Sequence, residues 1–292
     1  MTEKERAEEA LRESEQRFRI LFEQAADSIV LVDPETHALV EFNDQAHENL
    51  GYARDEFGKL RLEDLEAAES PEEIKIHVKR IRRYGHGSFE TRLRAKDGRL
   101  RDFLMKVRAV SVGGRDYLLG IWHDVTERKL VEDTLHFVAD RGWQEEAGKF
   151  FPSLVKYLAE ATGVEYVLIA RLGEDGVTAE TVAFFAHGGP AENITYPLKG
   201  TPCENVADGH LCCYPEGIQG RFPDDESLVD MRAESYLGVT LWNAKGEPLG
   251  LIAILDCKPF ANSQLTATLL QTVRFAPRPN CNASKPKPSE TG

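Results

Sequence analysis

The sequence is short of what several function classes require. Its longest apolar stretch lies near Leu249–Leu255, far below the ~18–20 residues that cross a bilayer. Its start, Met1-Thr2-Glu3-Lys4-Glu5-Arg6, is charged and leads into no apolar segment, so no secretory signal is read there. Basic charge is scarce: 36 Lys and Arg stand against 49 Asp and Glu, a net charge of −13. Binding to nucleic acid or an anionic membrane needs a basic face, so neither is expected as a partner. The five cysteines are Cys203, Cys212, Cys213, Cys257 and Cys281. An odd number in a chain this long does not suggest a disulfide framework, and a reducing cytoplasm is the expected compartment.

What is present is globular. A chain of 292 residues, 41% apolar and 29% charged, suffices for two ordinary domains. Residues 3–25 read as an amphipathic helix, with Ala7, Leu11, Ser14, Phe18, Leu21 and Ala25 at the three-four spacing of a coiled-coil seam. That face would cover either its own domain or a second copy of the chain. Ser28–Asp33 and His37–Phe42 are predicted strands around the turn Pro34-Glu35-Thr36. Asn43 is placed to cap a short helix ending at Gly51. Pro71 opens a longer helix with Ile74, Val78 and Ile81 on one face, stopped by Gly85. Three strands follow, with Lys96-Asp97-Gly98-Arg99 as a hairpin turn between the first two. The order predicts a five-stranded antiparallel sheet with helices on one face.

Arg17–Lys129 resembles a PAS domain over that whole length. The resemblance rests on Asn43, on Gly51-Tyr52 with Glu56-Phe57, on Lys96-Asp97-Gly98, and on Asp124-Val125-Thr126-Glu127-Arg128-Lys129. At that last stretch an apolar strand stops and a charged helix begins. Asp124 and Thr126 suit such a joint because their oxygens can accept from the first free N–H groups of the helix. They are the candidate signal-coupling residues.

Thr126–Asp140 is predicted as a linker helix, interrupted at Gly142-Trp143. Residues 144–275 resemble a GAF domain. The matching residues are Phe150-Phe151, Leu158-Ala159, Gly163-Val164, Gly238 and Leu249-Gly250-Leu251-Ile252-Ala253. Residues 188–225 show no clear periodicity. Residues 276–292, with four prolines, have the composition of a disordered tail. The expected fold is α+β in two domains, each a five- to six-stranded antiparallel sheet with flanking helices. The division is an N-terminal helix (1–16), PAS (17–129), helical linker (130–143), GAF (144–275) and tail.

The resemblance implies a sensory module, as in the input half of bacterial sensor histidine kinases and diguanylate cyclases. No enzyme is expected in this chain itself. His136 lies on a predicted helix but is followed by Phe137, where kinase acceptor motifs place an acidic residue, and no Gly-rich ATP lid or cyclase signature occurs. Some PAS domains carry haem on a helical His, and His77 holds that position. Its neighbours Lys75 and Lys79 point to a solvated side instead. No Cys in the PAS block supports flavin–cysteinyl photochemistry, so the cofactor stays open between haem, non-covalent flavin and none. In the irregular segment, Cys203, Cys212 and Cys213, with His210 beside them, are candidates for a zinc site, a redox group, or thiols packed under a loop. Adjacent Cys212 and Cys213 argue against a standard zinc site. The expected partners are a second copy of the chain, an unknown small ligand, and an output kinase or cyclase acting in trans. The alternatives are a truncated kinase or cyclase input region and an interaction scaffold that binds no ligand.

Overall fold

A computed structural model describes residues 3–144, 148–207, 209, 211–242 and 248–274. The chain divides into two units, 1–129 and 130–292.

In the first unit, α1 (Glu3–Glu23) leads to β1 (Ser28–Val32) and β2 (Leu39–Phe42). Three short helices follow: α2 (Asp44–Glu48), α3 (Arg54–Phe57) and α4 (Leu62–Leu65). The longer α5 (Pro71–Tyr84) precedes the strands β3 (His86–Arg94), β4 (Leu100–Val112) and β5 (Arg115–Asp124). The sheet runs β2-β1-β5-β4-β3, antiparallel throughout. That is the predicted five-stranded sheet.

Local chemistry explains the joints. Asn43 is completely buried and uses its whole amide. Its Oδ1 accepts from Ile29 N at 2.9 Å and from Ala46 N at 3.2 Å, and its Nδ2 donates to Phe22 O and Asp27 O. One side chain thus ties the end of α1, the start of β1 and the first turn of α2, and no apolar residue could replace those four bonds. Ser70 and Glu73 form a reciprocal capping box, Pro71 takes the first helical position, and Gly85 closes α5 at φ +80°. Ile74, Val78 and Ile81 are buried against the sheet, as their spacing predicts.

The last turn of α1 is held by its unit, through Asn43 and through Glu23, which accepts from Asp44 N and pairs with Arg54. Leu11, Phe18, Ile20 and Leu21 are exposed. The seam face is therefore not covered by its own domain.

The linker helix α6 (Thr126–Gln144) runs through Gly142 rather than stopping there. The second unit continues with α7 (Phe150–Thr162), β6 (Tyr166–Leu172) and β7 (Thr178–Ala186). Residues 188–225, irregular by sequence, hold β8 (Gly189–Pro190), β9 (Thr195–Pro197), α8 (Pro202–Ala207), β10 (Cys212–Tyr214) and α9 (Ile218–Arg221). Then come α10 (Glu226–Asp230), β11 (Ser235–Trp242), β12 (Pro248–Asp256) and α11 (Ser263–Val273). The sheet order is β10-β11-β12-β6-β7-β8, with β9 also on β7. Seven strands replace the expected five to six because β8, β9 and β10 are two or three residues long, too short to show a period.

Both faces of this sheet are covered. Leu154 and Leu158 of α7 and Leu270 of α11 pack on one, with Val167, Ile169 and Ile252. Val206 of α8, Ile218 of α9 and Leu228 of α10 pack on the other, with Leu168, Tyr236 and Leu251. Two-sided burial is why β6 and β12 read as unbroken apolar runs rather than alternating ones. The turn 244–247 and the tail 276–292, with Cys281, lie outside the described residues.

Candidate functional site

The first unit encloses a cavity of about 70 Å³ between α5 and the inner face of the sheet. Its wall is mostly apolar, with Val78, Phe89, Met105, Leu118 and Trp122 among the lining residues. Strand alternation sets this on β5, where Leu118, Gly120 and Trp122 face inward while Ile121 and His123 face out. Gly120 is required beside the indole, because a Cβ there would lie 2.6 Å from Trp122 Nε1.

Three polar side chains reach the cavity: Glu66, Glu69 and His77. Glu66 Oε1 accepts from Thr91 Oγ1 at 2.6 Å and from the N–H groups of Ala67 and Ala68. Glu69 Oε1 lies 2.8 Å from His77 Nδ1 but off the line of a ring N–H, so that nitrogen is buried without an aligned partner. The His77 ring sits against Phe89, centroids 5.1 Å apart. This corrects the sequence expectation of a solvated His77: it lines the cavity. A porphyrin or a flavin does not fit a space of about 70 Å³, since cofactor pockets run to several hundred Å³. The residue that haem would need is in place, and the room is not.

Two residues beyond Trp122 the strand reaches the predicted joint. Asp124 Oδ1 accepts from Thr126 N at 2.9 Å, and Asp124 Oδ2 pairs with Arg101 at 3.3 Å. Thr126 Oγ1 accepts from Asp102 N at 2.9 Å, and Val125 N donates to Asp102 O. Lys129 then bridges Glu90 at 2.7 Å and Asp102 at 3.1 Å. The hydrogen bond to Glu90 raises the Lys129 pKa, and Asp102 adds to it. The first turn of α6 is thereby fastened to β3 and β4. Further along, in the second unit, α6 packs on α7: Thr134 Oγ1 lies 3.1 Å from Tyr157 Oη, and Phe137 stacks on Tyr157 at 4.3 Å. Burial raises the Tyr157 pKa and keeps the phenol neutral.

The structure separates the cysteine group. Cys212 and Cys213 are consecutive on β10 and so face opposite sides of the sheet. Cys212 joins the core that contains Cys203, while Cys213 joins the other. Of the three readings open for these thiols, a shared zinc ion is the one this arrangement does not support. Among the described residues no three His, Cys, Asp or Glu side chains converge to hold a metal, and His210 lies outside them. Cys203 is buried between two phenols, with Tyr196 Oη at 3.4 Å and Tyr236 Oη at 3.3 Å. Burial pushes its thiol pKa up, the reverse of what activates a cysteine. Gly238 leaves the space for the Tyr236 hydroxyl, which would lie 2.5 Å from a Cβ there.

The families follow from these two units. The PAS domain family matches residues 26–127 and the GAF domain family residues 146–274. The chain is a PAS domain followed by a GAF domain, both of them sensory domains. It is similar to the methyl sulfide methyltransferase-associated sensor of Methanosarcina acetivorans, 27% identical over 126 residues, which is 43% of this chain and 13% of that protein. The chain thus matches about an eighth of that relative's length. Among solved structures it is similar to the PAS domain of an HTR-like protein from Haloarcula marismortui (22% identity, 41% of this chain and 98% of that one, TM-score 0.39). It is also similar to the chromophore binding domain of Stigmatella aurantiaca phytochrome P1 (14% identity, 85% and 91%, TM-score 0.41). Among the described residues no helix is long and apolar enough to cross a membrane.

Proposed function

We propose that this chain is a cytoplasmic signal-transduction sensor in which the PAS cavity takes up a small ligand and Asp124 and Thr126 pass the resulting strain into α6. The observation that carries this reading is one strand. Trp122 lines the cavity, and Asp124, two residues on in β5, holds the first turn of α6. A ligand that moves the indole acts on the anchor of a helix whose later turns pack on the GAF core. The chain itself performs no catalysis. It hands the signal to an output kinase or cyclase, in trans or as the input region of a longer two-component protein.

A ligand-free test uses Gly120→Ala, whose Cβ would press on Trp122 Nε1 as a ligand would. Hydrogen exchange at the amides of residues 127–131 should change at least about fivefold. In the Gly120→Ala/Thr126→Val double variant, which loses the Thr126 hydroxyl that holds Asp102 N–H, the change should shrink below about twofold. Exchange in α6 that ignores Gly120→Ala would remove this reading.

The second copy enters through α1. Its exposed Leu11, Phe18 and Leu21 share the seam face, and pairing that face with the same face of another chain would bury it as a coiled coil. The wild-type chain is expected to run as a dimer in light scattering. A Leu11→Glu/Phe18→Glu chain should run as a monomer with unchanged circular dichroism beyond α1. A wild-type monomer at micromolar concentration would overturn this arrangement.

A further inference from the structure

A second hollow lies on the first unit, apart from the enclosed cavity. It is a groove of about 270 Å³ between the end of α2 and the β3–β4 turn, with Glu48, Gly51, Lys96, Asp97 and Arg101 among its lining residues. Turn chemistry builds its walls. Gly51 leaves α2 at φ +72° and Gly98 turns the hairpin at φ +85°, conformations that suit glycine. Lys96 N donates to Leu50 O at 2.9 Å and so joins the two walls. Folding accounts for those residues. It does not account for the charges, and the charges restrict what the groove can hold.

Glu48 is exposed and makes no side-chain hydrogen bond or ion pair among the described residues. The other charged groups have partners. Asp97 accepts from Arg99 N at 3.0 Å and pairs with Arg99 Nε at 3.4 Å. Lys96 Nζ donates to Glu56 at 2.6 Å. Half-buried Arg101 meets Asp124 at 3.3 Å through one nitrogen, which leaves most of its N–H donors unspent. The groove thus offers one unpaired carboxylate and a set of spare cationic donors. A simple anion would gain Arg101 but face Glu48 and Asp97. A simple cation would gain Glu48 but face Lys96 and Arg101. A molecule with both charges avoids both conflicts, since its ammonium can pair with Glu48 and its carboxylate with Arg101. Single pairs this exposed are weak, so binding requires the two together. The groove, at about 270 Å³, is just below the ~300 Å³ at which small-molecule pockets begin, which suits roughly six to ten heavy atoms.

We propose that this groove is a second ligand site of the PAS domain and takes a small zwitterion of the amino-acid class. The ligand's ammonium pairs with Glu48, and its carboxylate takes the unspent N–H donors of Arg101. The consequence reaches the strand-to-helix joint. Arg101 ties Asp124 Oδ2 to β4 by one bond of 3.3 Å. A carboxylate on the guanidinium competes for it with a shorter, two-pronged contact. Asp124 then keeps its bond to Thr126 N and loses its tie to β4. A ligand in the groove loosens the first turn of α6 without entering the enclosed cavity. The site does not depend on what that cavity holds; only its effect on α6 rests on the joint at Asp124 and Thr126.

The test uses L-alanine and L-glutamine, each beside its N-acetyl acid and its primary amide, so that one charge is removed at a time. Each is titrated into the full chain while the backbone amide resonances of Gly51, Lys96, Asp97 and Gly98 are followed. At least one of the two amino acids should shift them saturably by about 10 mM. Both capped forms of that amino acid should need at least about tenfold more. Glu48→Gln removes no side-chain bond of the fold. It should weaken the zwitterion at least about fivefold and leave the N-acetyl acid at its wild-type strength or tighter. At saturation, hydrogen exchange at residues 127–131 should rise at least about twofold, and the rise should vanish in Arg101→Gln. Absence of a saturable shift, a capped form that binds as well as its parent, or a zwitterion indifferent to Glu48→Gln would each overturn the site. Saturable binding that leaves 127–131 unchanged would overturn its coupling to α6. Gly120→Ala is read at the same amides with no ligand present, so failure of the groove and failure of the cavity reading are told apart.

Discussion

Gly250→Ala should cost the GAF domain at least about 3 kcal/mol. Gly250 lies on β12, between β11 and β6, and pairs with Arg171. A Cβ at this position would sit 2.1 Å from the carbonyl oxygen of Ala170 and 3.0 Å from its carbon. Added methyl groups in a packed interior usually cost about 1–3 kcal/mol when neighbouring side chains can yield. Here the obstacle is backbone in the adjacent strand, so relief requires the two central strands to part. Urea unfolding followed by hydrogen exchange, with peptides from 26–127 as the internal reference, would measure the loss. A cost below about 1 kcal/mol would mean that the β12–β6 approach is looser than the structure has it.

Trp122→Ala should be comparably damaging to the PAS domain, at about 3–5 kcal/mol, as expected for truncating a fully packed Trp. The indole is almost fully buried, meets Phe103 edge-on with centroids 6.5 Å apart, and borders a cavity that its loss would enlarge. Trp122→Phe is the informative partner, since it keeps an aromatic ring and removes only the N–H and part of the volume. It should cost less than about 1.5 kcal/mol. The contrast between the variants separates the packing of one aromatic ring from that of the rest of the indole, read as the urea midpoint of exchange in peptides 100–124. Equal costs would show that the indole edge, rather than the ring, dominates.

Several elements were legible because short-range chemistry alone specifies them. Ile74, Val78 and Ile81 define the buried face of α5 by spacing, and Ser70, Pro71 and Gly85 set its ends. Asn43 was legible as a cap, but not as the residue that also binds Phe22 O and Asp27 O, since those partners depend on where the chain returns. His77 was read from its neighbours as having a solvated side, and it is half-buried, with part of its ring lining the cavity. Lys75 and Lys79 are two positions away, about 200° around a helix, so their solvation says little about it. Ile74, Val78 and Ile81, at spacings of three, one and four, mark the face it borders. The cysteines were close in sequence, and one short strand, β10, sends two of them to opposite faces.

The sequence by itself determined the two domains, their order, the strand-to-helix joint at Asp124 and Thr126, and the amphipathic seam of α1. These follow from periodicity, capping and turn chemistry, which act between near neighbours. Only the tertiary structure decided that β6 and β12 are covered on both faces, that the seam of α1 is exposed, that Cys203 is sealed between Tyr196 and Tyr236, and that Trp122 borders a small cavity. The reason is physical. A residue lining a cavity and a residue filling a core have the same composition, and only the packing of distant segments around them leaves the space.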